Sequence, residues 1–489
     1  MRARLNWVLD TAQGRPFITA LLLGALAALG FPPLGWWPVA IPVLAAFVAL
    51  LRQAANWRAA AILGWLFGWA HLTFANSWIA TAFTHQAKMP EFLGWIAVPL
   101  LCIYLAIYPA LATLLAHIAG RERGPWAFGA LLAAAWIVAE WLRSWVFTGY
   151  PWPPLSLLLL GDWERPGLAI LLPWLGTYAL SGLAVLIATA FATLAEHKRW
   201  VALVSVIAAT FAGMMFPLAS VIEREDSAVP YALVQPLIPQ DEINDPTKFE
   251  EQFSRIAELT LPGRDEQRLV LWPESAIPDY LEDGYPQRYY DRMTAAADPE
   301  FARRRIGSII GPDAVLLTGV VNLDLAERNG FVRAVSARNS VIAMDGTGSI
   351  NAEYAKAHLV PYGEYLPMRG LLEPLGLSRL VAGSIDYLPG PGPGTLDLNQ
   401  YGKVGIQICY EIVFSGQVVD RDDRPKYIFN PSNDGWFGTW GPPQHLAQAR
   451  MRALEEGLPV LRSTTTGISA VIDADGIVRQ TIGTGEAGR

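Results

Sequence analysis

Val404-Gly405-Ile406-Gln407-Ile408-Cys409-Tyr410-Glu411 is a short run rich in β-branched residues that stops on a lone cysteine, with a glutamate two positions on. It is too short for a helix of ordinary length, and Val and Ile suit a pleated surface, so Val404–Cys409 reads as a buried strand. Comparable runs recur on both sides: Tyr231–Gln235, Leu269–Trp272, Val315–Val321, Ser340–Met344, Tyr427–Asn430 and Ile468–Ile472. Between them, polar helical patterns fit 246–260, 286–298 and 442–457. Strands alternating with helices predict an α/β layered domain. Asp345-Gly346 and Asp475-Gly476 mark turns, and Pro389-Gly390-Pro391-Gly392-Pro393-Gly394 marks a stiff loop. The chain has no internal repeat and no phosphate-cradling glycine motif.

Upstream the character changes. The 489 residues are 52% hydrophobic and only 17% charged, and mean hydropathy is +0.28, which excludes a disordered or fibrous chain and argues against a fully soluble one. Residues 1–220 hold 12 Lys/Arg and 7 Asp/Glu, whereas the remainder holds 25 and 37. The first part therefore reads as a membrane domain (1–220) and the second as a globular domain (221–489). A bilayer core needs roughly 20 apolar residues per helix. Seven spans are predicted at about 17–31, 37–51, 59–83, 93–117, 126–147, 167–194 and 200–219, the first two being short and separated by Phe31-Pro32-Pro33.

Loop charges set the orientation. One set of alternate segments carries Arg2, Arg4, Arg15, Arg52, Arg58, Arg121, Arg123, Lys198 and Arg199; the other carries only Lys88, Arg143 and Arg165. Nine against three puts the N-terminus in the cytoplasm. Seven crossings then put the globular domain on the outer side of a multi-pass inner (plasma) membrane protein, which is the periplasm of a Gram-negative cell. Within the spans, Glu140 and Arg143 at i, i+3 are either a local ion pair near a helix end or a functional intramembrane acid with its neighbour. Trp141, Trp145, Trp152 and Trp163 read as interfacial residues, and Pro151, Pro153 and Pro154 break the helix among them.

The net charge of −7 and the absence of a basic tract argue against a nucleic-acid partner. Two cysteines in such different surroundings, Cys102 and Cys409, are not a disulfide framework. Six histidines without HxxxH or CxxC spacing give no support to a zinc site, so no metal and no cofactor are expected.

Chemistry-bearing side chains collect at predicted strand ends: Trp272-Pro273-Glu274-Ser275, the segment Tyr354–Glu364 with Lys356, Ile408-Cys409-Tyr410-Glu411, and Asn430-Pro431-Ser432-Asn433-Asp434-Gly435-Trp436-Phe437-Gly438. A cysteine attacks as thiolate and needs a base or a positive neighbour. A glutamate can take its proton, and a lysine can stabilise a developing oxyanion. Singly, each has a plain structural explanation: a core thiol, a solvated turn carboxylate, a surface amine.

Taken together and in this order, Glu274, Lys356 and Cys409 resemble the Glu-Lys-Cys triad of the nitrilase superfamily. With a multi-span N-terminal half the chain resembles, over nearly its whole length, the apolipoprotein N-acyltransferase family. The resemblance extends to Glu140-Trp141-Leu142-Arg143 with Thr148-Gly149-Tyr150-Pro151-Trp152, to Val234-Gln235 with Ile238-Pro239-Gln240, and to Ala449–Glu455 running into Leu461-Arg462-Ser463.

This resemblance implies an α-β-β-α sandwich behind a helical membrane domain. It implies Cys409 as nucleophile on an ester carbonyl of a membrane phospholipid, Glu274 as general base and Lys356 as oxyanion stabiliser. Glu364 would orient Lys356 or the incoming amine, and Tyr410 and Glu411 would support the nucleophile. The thioester would then pass its chain to the amine of a diacylglyceryl-modified apolipoprotein, in a ping-pong transfer between membrane lipids. Trp436, Phe437 and Trp152 are the expected substrate-binding aromatics, and Leu371–Leu380 with Val381 reads as a lipid-facing loop or as core.

Two departures stand out. The family commonly carries a tryptophan where Asn244 stands, and it usually ends in one more membrane helix, whereas nothing apolar follows Ile482 here; either the sequence is truncated or this member lacks that anchor. The same triad would also serve a membrane-tethered amidase that hydrolyses a small amide. A non-catalytic scaffold would be expected to lose a triad member, and a partner of a glycosyltransferase would be expected to bring a nucleotide-sugar motif, which is missing.

Overall fold

The computed structural model describes residues 14–85, 90–216, 229–375 and 385–489. They divide into two compact units, Met1–Ala80 with Pro90–Ile222 and Thr81–Met89 with Glu223–Arg489.

The first unit is helical: α1 (Pro16–Ala27), α2 (Trp37–Arg52), α3 (Trp57–Ala75), α4 (Phe92–Leu105), α5 (Ile107–Gly120), α6 (Pro125–Arg143), α7 (Leu172–Glu196) and α8 (Trp200–Met215). Among the described residues, three stretches are long and apolar enough to cross a membrane: Phe92–Gly120, Pro125–Arg143 and Leu168–Glu196. Pro16–Gly30, Trp37–Arg52 and Trp200–Met215 are apolar but shorter. The expectation of about seven spans, the first two short, is therefore met in part. The expected span 59–83 ends early: α3 stops at Ala75 and a tighter 3-10 turn covers Ser77–Phe83. The expected span 126–147 stops at Arg143, and the end of the last expected span, beyond residue 216, lies outside the described residues.

Lipid tails are as apolar as leucine, so such helices hold together by close approach rather than by expulsion of water. A side chain at Gly24 would meet the Phe67 carbonyl oxygen at 2.2 Å, and one at Gly129 would meet Thr189 Cγ2 at 2.1 Å. Thr113 Oγ1 donates to the Ala60 carbonyl at 2.9 Å, tying α5 to α3. Glu140 and Arg143 do not form the expected local ion pair. Glu140 Oε1 accepts from Trp136 Nε1 at 3.0 Å and Leu155 N at 2.8 Å, while Arg143 Nη2 donates to the Pro153 carbonyl at 2.8 Å. Both side chains satisfy the proline-interrupted loop, whose backbone cannot pair with itself.

The second unit contains two sheets. In the first, β1 (Tyr231–Leu233), β2 (Leu269–Leu271) and β3 (Val315–Arg328) are parallel, and β4 (Phe331–Asp345) and β5 (Ile350–Ala355) continue antiparallel, in the order β1-β2-β3-β4-β5. The second sheet holds β6 (Thr395–Asp397), β7 (Lys403–Ile406), β8 (Tyr427–Ser432), β9 (Val460–Thr464), β10 (Ser469–Ile472) and β11 (Val478–Ile482) in the order β11-β10-β9-β8-β7-β6, with β7, β8 and β9 parallel. Parallel strands are covered on both faces, which is why they read as unbroken apolar runs.

Leu233, Leu271 and Val341 of the first sheet meet Val404, Ile406 and Phe429 of the second. Val270, Leu316 and Ile342 pack instead on Phe253 and Ile256 of α9 (Phe249–Thr260) and on Ile306 and Ile310 of a later helix, Pro299–Ile310. With helix Gly441–Glu456 against β9 and β10, the layers are α-β-β-α, the fold class expected.

The segment expected as one helix over 286–298 is α10 (Gln287–Met293) followed by a 3-10 turn at Ala295–Ala297. The next helix, α11 (Pro299–Ile310), was not expected; Asp298 caps it by accepting from Glu300 N and Phe301 N. The final helix, Gly441–Glu456, is α12.

Candidate active site

β7 delivers the nucleophile candidate. Three residues beyond its end, Cys409 takes φ = +51°, the left-handed region that a non-glycine side chain rarely adopts. A 3-10 turn over Cys409–Val413 follows. The Glu411 carboxylate holds this turn, accepting from Ile408 N at 2.8 Å, Tyr354 Oη at 2.8 Å, Ala357 N at 2.7 Å and His358 N at 3.1 Å. One buried side chain thus ties the cysteine turn to the end of β5, where Lys356 stands. Burial pushes the Glu411 carboxyl up to about 7, although the Ile408 N–H, Lys356 and the Tyr354 hydroxyl favour its charged form.

Lys356 leaves β5 with its N–H bonded to the Asn339 carbonyl at 2.8 Å and its side chain 1% exposed. Nζ lies 3.0 Å from Glu364 Oε1 and 3.7 Å from Glu274 Oε1. Burial opposes the ammonium, but the two carboxylates outweigh it and raise the lysine above its ordinary range.

Glu274 follows β2. Its Oε1 accepts from Asn339 Nδ2 at 2.7 Å and its Oε2 from Asn433 N at 2.8 Å. Asn339 Nδ2 also donates to Glu364 Oε1 at 2.8 Å, so one amide aligns both carboxylates on either side of the ammonium. Gly319 on β3 makes room for this loop: a Cβ there would lie 2.9 Å from Glu274 Cα.

The Cys409 thiol is pushed well above its usual range, by burial first and by Glu274 next; Lys356 and the Asn433 N–H pull the other way. At rest the group is a neutral thiol beside a carboxylate and an ammonium. That arrangement suits proton transfer to Glu274 as sulfur attacks, with Lys356 available for the negative charge that appears on the carbonyl oxygen.

The second sheet brings further residues for which no individual role was expected. Asp434 accepts from Arg462 Nη2 at 2.8 Å and 2.7 Å, and His445 Nδ1 lies 2.9 Å from Asp434 Oδ1. Asn433 Nδ2 donates to Gln240 Oε1 at 2.7 Å, joining the loop after β1 to the site. Asn244, further along that loop, is exposed.

Glu274, Lys356, Cys409, Glu364, Tyr410 and Glu411 thus converge. Tyr410 is buried with its ring edge-on to Phe414 at 5.1 Å. Phe437 packs edge-on to His445 at 5.4 Å, and Trp436 meets His85 at 5.8 Å. Trp152 is not with them. It is fully buried in the helical unit beside Trp78, their rings 4.8 Å apart, so its side chain is part of that unit's packing. Of the loop around Leu371–Leu380, Leu371 is exposed, and 376–384, with Val381, lie outside the described residues. Asn433 was noted only within its strand-end segment and Asn339 not at all, because an amide gives no chemical signal alone; their pairing with Glu274 reveals them.

Residues 23–190 match the model of the apolipoprotein N-acyltransferase N-terminal domain, and residues 232–488 match that of the carbon-nitrogen hydrolases. An apolipoprotein N-acyltransferase of Rhodopseudomonas palustris is 34% identical over 497 residues, covering 96% of this chain and 88% of that one. One from Nitrosomonas europaea is 32% identical over 477 residues, covering 94% and 87%. Among solved structures, an amidase from Nesterenkonia sp. AN1 is 17% identical with a TM-score of 0.34, covering 55% of this chain and 90% of its own.

Proposed function

The chain belongs to the apolipoprotein N-acyltransferase family, and from that premise we propose that it acylates the N-terminal amine of lipoproteins through a thioester on Cys409. It is a membrane protein and an N-acyltransferase. In the first half-reaction Cys409 attacks an ester carbonyl of a membrane phospholipid. Glu274 takes the thiol proton and returns it to the leaving alkoxide, releasing a lysophospholipid. Lys356 holds the tetrahedral oxyanion. In the second, the free amine of a diacylglyceryl-modified cysteine attacks the thioester, Glu274 accepts the amine proton, and the thiol is regenerated.

The observation that carries this reading is the buried group of four: a cysteine in a left-handed turn and an ammonium held between two carboxylates, Lys356 Nζ lying 3.7 Å from Glu274 and 3.0 Å from Glu364. Splitting the transfer helps because a thioester is more reactive toward an amine than an oxygen ester is. Both substrates are lipids, and taking an acyl chain into water costs about 0.8 kcal/mol per CH₂, which favours an enzyme fixed at the membrane. The loop charges, nine against three, support an inner-membrane, multi-pass placement with the catalytic unit on the periplasmic side.

The test is the intact mass of the purified full chain after incubation with phospholipid. The reading expects a gain of one acyl chain that is discharged by a lipopeptide amine. No gain, or equal discharge by water alone, would turn the assignment toward a hydrolase.

A further inference from the structure

Cys409 occupies a conformation that a side chain disfavours, so something must hold it there. Glu411 holds the chain just ahead of it, through Ile408 N. The peptide after it is held by His445, on α12, whose Nε2 lies 3.0 Å from the Cys409 carbonyl oxygen. A carbonyl oxygen only accepts, so Nε2 carries the proton whatever the charge on the ring. The imidazole is itself fixed from behind. Its Nδ1 lies 2.9 Å from Asp434 Oδ1 and 3.0 Å from Arg462 Nη2, and Arg462 Nη1 continues to Ser432 Oγ at 3.0 Å. His445, Asp434 and Arg462 are all buried, so these bonds are sheltered from competing water.

We propose that His445 is a positioning residue for the nucleophile, holding the Cys409–Tyr410 peptide through its Nε2–H so that the thiol stays aligned between Glu274 and Lys356. A trans peptide is planar, so pinning its carbonyl also fixes the Tyr410 N–H, which points the opposite way. Asp434 and Arg462 act one step further out, by fixing the ring. The Cys409 carbonyl also meets Asn430 Nδ2, but at 3.5 Å that contact is too long to replace the histidine, and the same nitrogen makes its short bond, 2.6 Å, to the Gln407 carbonyl.

The inference rests on the acyl-transfer reading, and its test separates the two. The full-length protein, purified in detergent, is mixed with phospholipid, and the acyl adduct is followed by intact mass in a single turnover. Failure of the wild type to gain the adduct would remove the acyl-transfer reading itself. If the wild type loads, His445→Asn, whose amide sits near Nδ1 and falls short of the Cys409 carbonyl, should load on the order of 10- to 100-fold more slowly, with KM for phospholipid unchanged. His445→Gln, whose amide nitrogen reaches the place of Nε2, should recover most of the rate. Full-rate loading by His445→Asn, or equal impairment of the two variants, would overturn the proposal. Should His445→Asn fail to fold, His445→Gln decides alone: loading at less than a tenth of the wild-type rate with an unchanged melting midpoint would overturn it.

Discussion

Lys356 and Glu364 form a buried ion pair, Nζ to Oε1 at 3.0 Å, closer than the 3.7 Å between the same nitrogen and Glu274. In the proposed mechanism the nearer carboxylate balances the ammonium and leaves Glu274 to act as base. Glu364→Gln keeps the shape but strips the charge, leaving Lys356 and Glu274 to pair alone. Because Glu274 still balances Lys356, stability should fall by less than the roughly 3–5 kcal/mol of a buried charge left unpaired, and thioester formation should slow. Thermal unfolding and single-turnover loading check both; a variant as stable and fast as wild type would remove Glu364 from the account.

Glu411 accepts four hydrogen bonds as a carboxylate, and its protonation would set an O–H against backbone N–H groups. Because burial raises it to about 7, activity should fall as pH drops through about 7. The stability effect has the opposite sign. The folded state binds this proton more tightly than the unfolded chain, so the group favours folding at low pH and loses that contribution as pH rises through about 7. The pH profile of kcat should show the limb, and Glu411→Gln, with a lower maximum, should lack it. An unchanged limb in that variant would assign it elsewhere.

Gly319 is the space in which the Glu274 loop sits. Gly319→Ala would drive a methyl to 2.9 Å from Glu274 Cα and 3.1 Å from Ser275 N. Overpacking of this kind costs about 1–3 kcal/mol, and here it also displaces the base. Loading should slow by more than the stability loss explains, with Cys409 still alkylated by a small thiol reagent. Wild-type loading in this variant would contradict the packing.

Cys102 is fully buried in the helical unit, among Leu72, Val98 and Leu105. Cys102→Ala removes one sulfur from packing and touches none of the catalytic groups. Acyl transfer should persist; its loss would give that thiol a role the structure does not.

Glu274, Lys356 and Cys409 were legible through their resemblance to a known triad, and Glu364, Tyr410 and Glu411 through the family's pattern; singly, each has a plain structural explanation. The amide frame was not legible. Asn339 lies within β4, and its register against β3, opposite Val321, exists only once the long hairpin forms. The hairpin was underestimated because its outer half carries Asp324, Arg333 and Arg338 in place of an apolar period. Helix α11 was missed for a related reason: three consecutive arginines, Arg303, Arg304 and Arg305, mask the Ala302, Ile306 and Ile310 face that packs on the sheet. Trp152 is more deeply buried than its sequence setting suggests. Its proline-rich setting suggested an interfacial loop, but Arg143 and Glu140 satisfy that loop's backbone and let the indole bury completely.

The central claim is that the Cys409 sulfur carries the acyl chain. The direct measurement is intact mass of wild type and Cys409→Ala after incubation with phospholipid, both purified as full chains with matching melting midpoints. The account predicts one acyl adduct on the wild type, released by a lipopeptide amine, and none on Cys409→Ala; an adduct of equal size and rate on the alanine variant would contradict it.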